Sequence, residues 1–118
     1  MAVVSIAPYD FPPKDSVDKF PAPLLYVGWE DHKMFCAPLC VPMPPTTVFG
    51  DFVKGALPDM YGAHPDFAKI AWDKVEWFNS GKPFTPDLGK TMAENGMGHK
   101  SVIRFRTPGL TGLAGSCF

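Results

Sequence analysis

Nine of the 14 prolines in this 118-residue chain fall before residue 46. A proline fixes its own φ, has no N–H to donate and breaks a helix interior. Pro8, Pro12, Pro13, Pro21 and Pro23 therefore forbid a long helix over residues 1–23. Ile6, Tyr9, Phe11, Val17 and Phe20 recur among them, too apolar a set for a plain frayed terminus. The reading is an extended arm that clasps a surface, because proline-rich segments are already stiff and extended before they bind. Pro38 and Pro42 constrain the next stretch in the same way. A strand containing them cannot donate to ladders on both sides and belongs at a sheet edge, bulged near Ala37-Pro38.

The stretch from Leu24 to Leu57 organises the rest. Leu24–Trp29 is short, apolar and rich in β-formers, so it predicts a strand. Glu30-Asp31-His32-Lys33 is a polar hairpin loop, and about Lys33–Met43 is the return strand. Thr46 or Thr47 can cap a helix, since a threonine oxygen accepts from an orphan N–H of the first turn. Val48, Phe49, Phe52, Val53, Ala56 and Leu57 then share one helical face, and Pro58 ends the helix. Residues 58–73 are irregular, with Pro65 opening a short turn that points Phe67 and Ile70 inward.

Beyond them, Val75–Phe78 predicts a third strand. Asn79-Ser80-Gly81-Lys82 is a tight turn with glycine where positive φ is needed, and Lys82–Phe84 is a short return strand. Thr85-Pro86-Asp87 has the composition of a helix start, and Asn95-Gly96 that of a stop. Ser101–Arg106 alternates, with Ile103 and Phe105 on one side and Arg104 and Arg106 on the other. A hairpin crossed by one helix, with the last strand returning to the sheet, is an α+β, ubiquitin-like β-grasp plan: a mixed sheet crossed by one main helix. The chain divides into a proline-rich arm (1–23), a β-grasp domain (24–106) and an apolar, glycine-rich docking tail (107–118). A chain of this length is one domain able to bury one core.

Several function classes are excluded. The formal net charge is −1 and only Arg104 and Arg106 are arginines, so no basic patch exists to displace counterions from nucleic acid. No apolar run reaches the ~18 residues of a membrane span. The N-terminus lacks a basic, then apolar, signal-peptide pattern, and three cysteines make no disulfide framework, which points to the cytoplasm. His32, Cys36 and Cys40 stand four apart; on a strand that spacing spans about 13 Å, while zinc needs each thiolate at ~2.3 Å. The favoured reading is buried cysteines acting as small apolar residues. A plant-type iron–sulfur cluster needs four cysteines at other spacings. His64 and His99 sit beside Pro or Gly and read as surface or turn residues. Gly96-Met97-Gly98 is a helix stop rather than a phosphate loop. No catalytic, cofactor-binding or metal-ligating constellation is predicted. A free-standing ubiquitin-like adaptor or modifier is one option, although the chain lacks the terminal Gly-Gly that conjugation requires.

Longer motifs then carry a resemblance. Tyr26-Val-Gly-Trp-Glu-Asp-His-Lys-Met-Phe-Cys-Ala-Pro, His64-Pro-Asp-Phe-Ala, Trp77-x4-Lys-Pro-Phe-Thr-Pro-Asp and Arg104-Phe-Arg-Thr-Pro-Gly-Leu-x-Gly-x-Ala-Gly-Ser-Cys are similar to the small γ subunit of bacterial multicomponent phenol hydroxylases. The likeness runs from about Leu24 to Cys117. It implies a soluble di-iron monooxygenase of aromatic hydrocarbon catabolism, assembled as a dimer of αβγ protomers. The resemblance puts the di-iron centre in the α subunit. A reductase with FAD and [2Fe–2S] supplies electrons from NADH, and an effector protein acts on the same complex. The γ chain would have a structural role, and this sequence has no Glu-x-x-His pair of a di-iron bundle.

The interface candidates follow. Phe78 shares the outer sheet face with Glu76, where a large aromatic suggests a partner. Tyr9, Phe11 and Phe20 in the arm, and Leu110, Leu113 and Phe118 in the uncharged tail, have no core of their own to enter. Both ends are expected to be ordered only against the large subunits.

Overall fold

The structure, a computed structural model, describes residues 2–118. Five strands form one mixed sheet: β1 (Leu24–Trp29), β2 (Leu39–Pro42), β3 (Glu76–Asn79), β4 (Lys82–Phe84) and β5 (Ser101–Arg106). Their order is β2-β1-β5-β3-β4, with β1 and β5 parallel and the other neighbours antiparallel. With one main helical element laid across the sheet, this is the β-grasp.

β2 is an edge strand, as its prolines require, but it is shorter than the sequence suggested. Lys33–Phe35 coils into a 3₁₀ turn and Pro38 precedes the strand. The hairpin turn between β3 and β4 has Ser80 at φ 51° and Gly81 at φ 79°, the left-handed pair that matches the twist of the flanking strands.

The helical element is α1 (Phe49–Asp51), a π-helical stretch Phe52–Ala56, and α2 (Leu57–Tyr61), one rod over 49–61. Pro58 does not end it. The Leu57 N–H reaches back five residues to the Phe52 carbonyl, so the ladder widens just before the proline. The wide turn makes room for a ring that lacks a donor. Nor does threonine cap the rod. The Phe49 and Gly50 N–H groups donate to the Lys90 and Leu88 carbonyls, at 2.9 and 3.0 Å. Those carbonyls are free because residues 85–95 form turns and not the expected helix. The Asn95 amide binds the Asp87 N–H and the Asp87, Lys90 and Thr91 carbonyls, tying the segment into a knot. A helix would have consumed the carbonyls that cap its neighbour.

The core lies between rod and sheet. Leu25, Val27 and Trp29 from β1, Trp77 from β3, and Ile103 and Phe105 from β5 meet Phe49, Phe52, Leu57 and Tyr61 from the rod, all buried. Trp29 is its hub, stacked on Phe105 at 5.5 Å and edge-on to Tyr61 at 5.8 Å. The Tyr61 hydroxyl donates to the Val27 carbonyl at 2.6 Å, pinning the end of the rod to β1.

Candidate functional site

Three features outside this core carry chemistry or surface. The first is a polar cluster under the rim of the sheet. β1 ends in Trp29, and the turn after it folds His32 flat onto the indole, with ring centroids 3.6 Å apart. His64 begins a 3₁₀ turn, Pro65–Lys69, and its Nδ1 accepts the Asp66 N–H at 3.0 Å. That turn delivers the Asp66 carboxylate to His32 Nε2 at 2.9 Å. All three side chains are buried. Their ligand atoms lie within 4.8 Å of one another, the one such His/Cys/Asp/Glu group among the described residues. Each is already engaged: His32 Nδ1 with the Glu30 carbonyl at 2.8 Å, His64 Nε2 with the Phe118 main-chain oxygen at 2.8 Å, Asp66 Oδ2 also with the Gly112 N–H at 3.0 Å. Burial alone would raise the Asp66 carboxyl. The His32 hydrogen bond, the Gly112 N–H and the two imidazoles outweigh it and hold the group below the usual carboxylate range.

This cluster corrects the sequence reading. His64 is buried and not a surface residue, because its ring both caps a turn and holds the chain's last residue. His32 joins His64 and Asp66, not Cys36 and Cys40. Both of those cysteines are exposed, because the 3₁₀ turn and the edge strand face solvent there. Only the pairing across 34 residues of chain assembles the site, so spacing could not reveal it; His64 and Asp66 two apart beside inward Phe67 were the available signal.

The second feature is the C-terminal segment, 107–118. Trp29 Nε1 donates to the Thr107 hydroxyl at 3.0 Å, and the Lys33 N–H donates to the Cys117 carbonyl. With the bonds from Gly112 and Phe118, the segment is strapped onto its own domain. This departs from a tail ordered only by a partner: buried polar groups of the body supply main-chain partners that composition does not show. The side chains of Leu113 and Phe118 still face outward and Leu110 is half-buried.

The third is apolar surface. Val3, Val4, Ile6, Tyr9 and Phe11 are 72–106 % exposed along the arm, with Tyr9 and Phe11 packed edge-on at 4.8 Å. The arm stretches the chain to 59 Å and its radius of gyration to 17.6 Å, against about 13.5 Å for a compact chain of this length. Its root is fixed: Phe20 packs on His99 at 4.9 Å, and His99 Nδ1 accepts the Leu24 N–H. On the sheet face opposite the rod, Phe78 is half-buried beneath the Arg106 guanidinium, 5.1 Å from the ring. It borders an open groove of about 520 Å³ with Val75, Pro83, Phe84 and Pro86.

A β-grasp domain with an uncovered apolar arm and a strapped C-terminal segment is thus the class that fold and surface define. Residues 15–106 match a family model described as phenol hydroxylase, and the chain belongs to that family. It is 41% identical over 118 residues to the phenol 2-monooxygenase oxygenase component DmpO of Pseudomonas sp. strain CF600, covering 99% of each. It is 30% identical over 111 residues to a phenol 2-monooxygenase of Ralstonia pickettii; the match takes 91% of this chain and 16% of that one. The fold superposes with a TM-score of 0.88 on a chain of the xenon-pressurised phenol hydroxylase from Pseudomonas sp. OX1. That chain is 39% identical, and the match covers 99% of this chain and 100% of the other. No helix among the described residues is long and apolar enough to cross a membrane.

Proposed function

We propose that this chain is a non-catalytic assembly subunit, the γ chain, of the oxygenase component of a multicomponent phenol hydroxylase. The reaction would be NADH- and O₂-dependent hydroxylation of phenols to catechols, with the chemistry in a partner α subunit. The observation that carries the reading is the arm: five large apolar side chains stand 72–106 % exposed on one extended segment. Contiguous exposed apolar surface of this kind marks an interaction site.

The residues present do not fit a di-iron centre. Such centres take carboxylates and Glu-x-x-His pairs from several facing helices. This chain offers one helical rod, whose Asp51 and Asp59 are exposed, and a His32–His64–Asp66 cluster whose ligand atoms are bound in hydrogen bonds. The iron is accordingly assigned to the α subunit, and FAD and [2Fe–2S] to a reductase. The α and β chains are the direct partners in an (αβγ)₂ assembly, with the effector acting on the same cytoplasmic complex. Phe78, Phe20, Leu110, Leu113 and Phe118 add candidate contact surface to Tyr9 and Phe11.

The test is co-expression with α and β, tagged on α, using the full chain and a variant lacking residues 2–23. The full chain should co-purify at one copy per α and bring no iron of its own. The shortened chain should be lost while keeping native circular dichroism. Undiminished co-purification of the shortened chain would overturn the assignment to the arm.

A further inference from the structure

The open groove beside β3 and β4 is walled by rings. Phe78 and Pro83 are cross-strand partners and face outward together, away from the rod. Val75, Trp77, Phe84 and Pro86 line the groove with them, around about 520 Å³. Trp77 is 7 % exposed and its indole N–H has no hydrogen-bond partner among the described residues; no fully buried side-chain nitrogen is left unsatisfied, so that N–H opens to solvent. Aromatic and proline walls with a donor beside them suit a polyproline II segment, whose carbonyls have no internal bonds. At the rim the Arg106 guanidinium is shared by two carboxylates, Glu76 at 3.1 Å and Asp31 at 4.0 Å, which leaves one negative charge in excess.

We propose that free copies of this chain pair by exchanging arms, with residues 8–14 of each lying in the outer groove of the other. The arm has the matching chemistry: Pro8-Tyr9-Asp10-Phe11-Pro12-Pro13 is proline-rich and aromatic, and Lys14 follows it to meet the surplus charge of the rim. Its own groove is the wrong target. The arm leaves the domain at Leu24, beside the Ser101 end of β5, whereas the groove lies at the Arg106 end, about 17 Å along the strand. Its root is braced by Phe20 on His99, by the 3₁₀ turn Val17–Lys19 and by the Lys19 ammonium on the Pro13 carbonyl at 3.1 Å. Beyond that brace residues 2–15 are all exposed, and the molecule is drawn out to 59 Å. Doubling back would require a reversal at Pro12-Pro13, where two fixed φ values keep the chain extended.

The area suffices for a stable pair. A buried aromatic side chain removes about 150–250 Å² from water, so Tyr9 and Phe11 of two arms remove roughly 600–1,000 Å². The groove walls lose a comparable area, which brings the total to the roughly 1,200–2,000 Å² of a specific interface. A two-fold exchange covers both arms and fills both grooves, and so closes without leaving a site for a third copy. The inference concerns the free chain and does not rest on the assembly reading. Subunits that take the arm displace the exchange, because one surface is not covered twice.

The test uses the full chain. Sedimentation equilibrium from micromolar to near-millimolar concentration should show a monomer–dimer equilibrium. Tyr9→Ser with Phe11→Ser changes only exposed side chains, and should weaken dimerisation at least tenfold with unchanged circular dichroism; Phe78→Ala should weaken it as well. In an equal mixture of ¹³C-labelled and unlabelled chain, isotope-filtered nuclear Overhauser effects should link Tyr9 and Phe11 of one copy to Phe78 and Pro83 of the other. A monomer at the highest concentration overturns the proposal, as does a dimer that survives the double substitution. Contacts that arise only within one copy, or between the two arms alone, overturn it equally.

Discussion

Tyr61 gives the most quantitative handle on this fold. Its side chain is fully buried at the end of the rod, and its hydroxyl donates to Val27 in the central part of the sheet. Removal from water disfavours the phenolate and pushes the hydroxyl from 10.0 up to about 12; a bond from Leu39 and the Arg104 charge pull the other way but are smaller. A group whose folded value is raised lends stability that is complete below its unfolded value. That stability is lost as pH climbs through the folded one, because the unfolded chain releases its proton first. At about 1.36 kcal/mol per unit, the loss is about 1.4 kcal/mol by pH 11 and about 2.3 by pH 12. Tyr61→Phe removes both the bond and the titration. At pH 8 the variant should be less stable by about 1 kcal/mol, the usual net worth of one hydrogen bond. Between pH 10 and 12 the wild type should fall towards the variant and below it, so that the two stability curves cross. Urea unfolding followed by tryptophan fluorescence at steps from pH 8 to 12 measures this. Tyr61 is the one ionisable group that differs between the two proteins, so the difference between their curves reports it alone. Parallel curves, with no narrowing of the gap above pH 10, would refute the claim that the buried phenol is responsible.

Other outcomes are equally checkable. Asp66 is depressed in the fold, so its contribution is present above the unfolded value of 3.8 and lost as pH falls below it; Asp66→Asn should flatten acid unfolding measured by circular dichroism below pH 4. Gly112→Ala places a Cβ 2.3 Å from the Phe118 nitrogen at a left-handed φ, so limited proteolysis should cut after Thr107 while the melting of the sheet barely moves. Trp29→Ala empties the hub of the core and should cost about 3–5 kcal/mol in urea unfolding. Phe78→Ala touches only a half-buried side chain on the open sheet face, so it should lower free-chain stability by about 1 kcal/mol or less, yet weaken binding to the other subunits of the oxygenase component in a titration.

Strands β1, β3, β4 and β5 were legible because each rests on local signals that tertiary contacts do not reverse, whereas only the second half of the expected return strand forms β2. Alternation in Ser101–Arg106, the β-formers of Leu24–Trp29 and the Ser80-Gly81 turn all sit where the sequence puts them. The errors cluster where main-chain groups find partners far away. Thr85-Pro86-Asp87 carries good helix-start residues, but Asn95 captures the Asp87, Lys90 and Thr91 carbonyls while those of Leu88 and Lys90 cap the rod. Pro58 is a sound stop signal, yet a π-helical turn absorbs it. The polar cluster was illegible for the same reason: His32 and Asp66 are 34 residues apart, and the Gly112 that completes them is a further 46 away from Asp66. Sequence spacing reports neighbours within an element, such as His64 and Asp66, but the bonds that complete this site run between elements.

The two ends solve opposite versions of one problem. Neither has large apolar side chains that enter the core, so neither can be ordered by apolar burial on its own domain. The strap is held by its main chain, through Thr107, Gly112, Cys117 and Phe118, with left-handed geometry at Gly109, Gly112, Ala114, Gly115 and Cys117. Its conformational entropy, about 1–2 kcal/mol per residue, is already spent against buried partners. Leu113 and Phe118 are thereby presented to solvent in fixed positions, and a partner that covers them gains their area without ordering them first. The arm is the reverse case. Its prolines restrict it, but past Phe20 and the His99 contact Ile6, Tyr9 and Phe11 stay 72–106 % exposed, with only the edge-on contact of Tyr9 on Phe11. A partner must supply both the surface and the ordering. Alanine replacements in the strap should therefore report mainly lost contact area, whereas stiffening the arm with a further proline at a compatible position should tighten binding with no new contact.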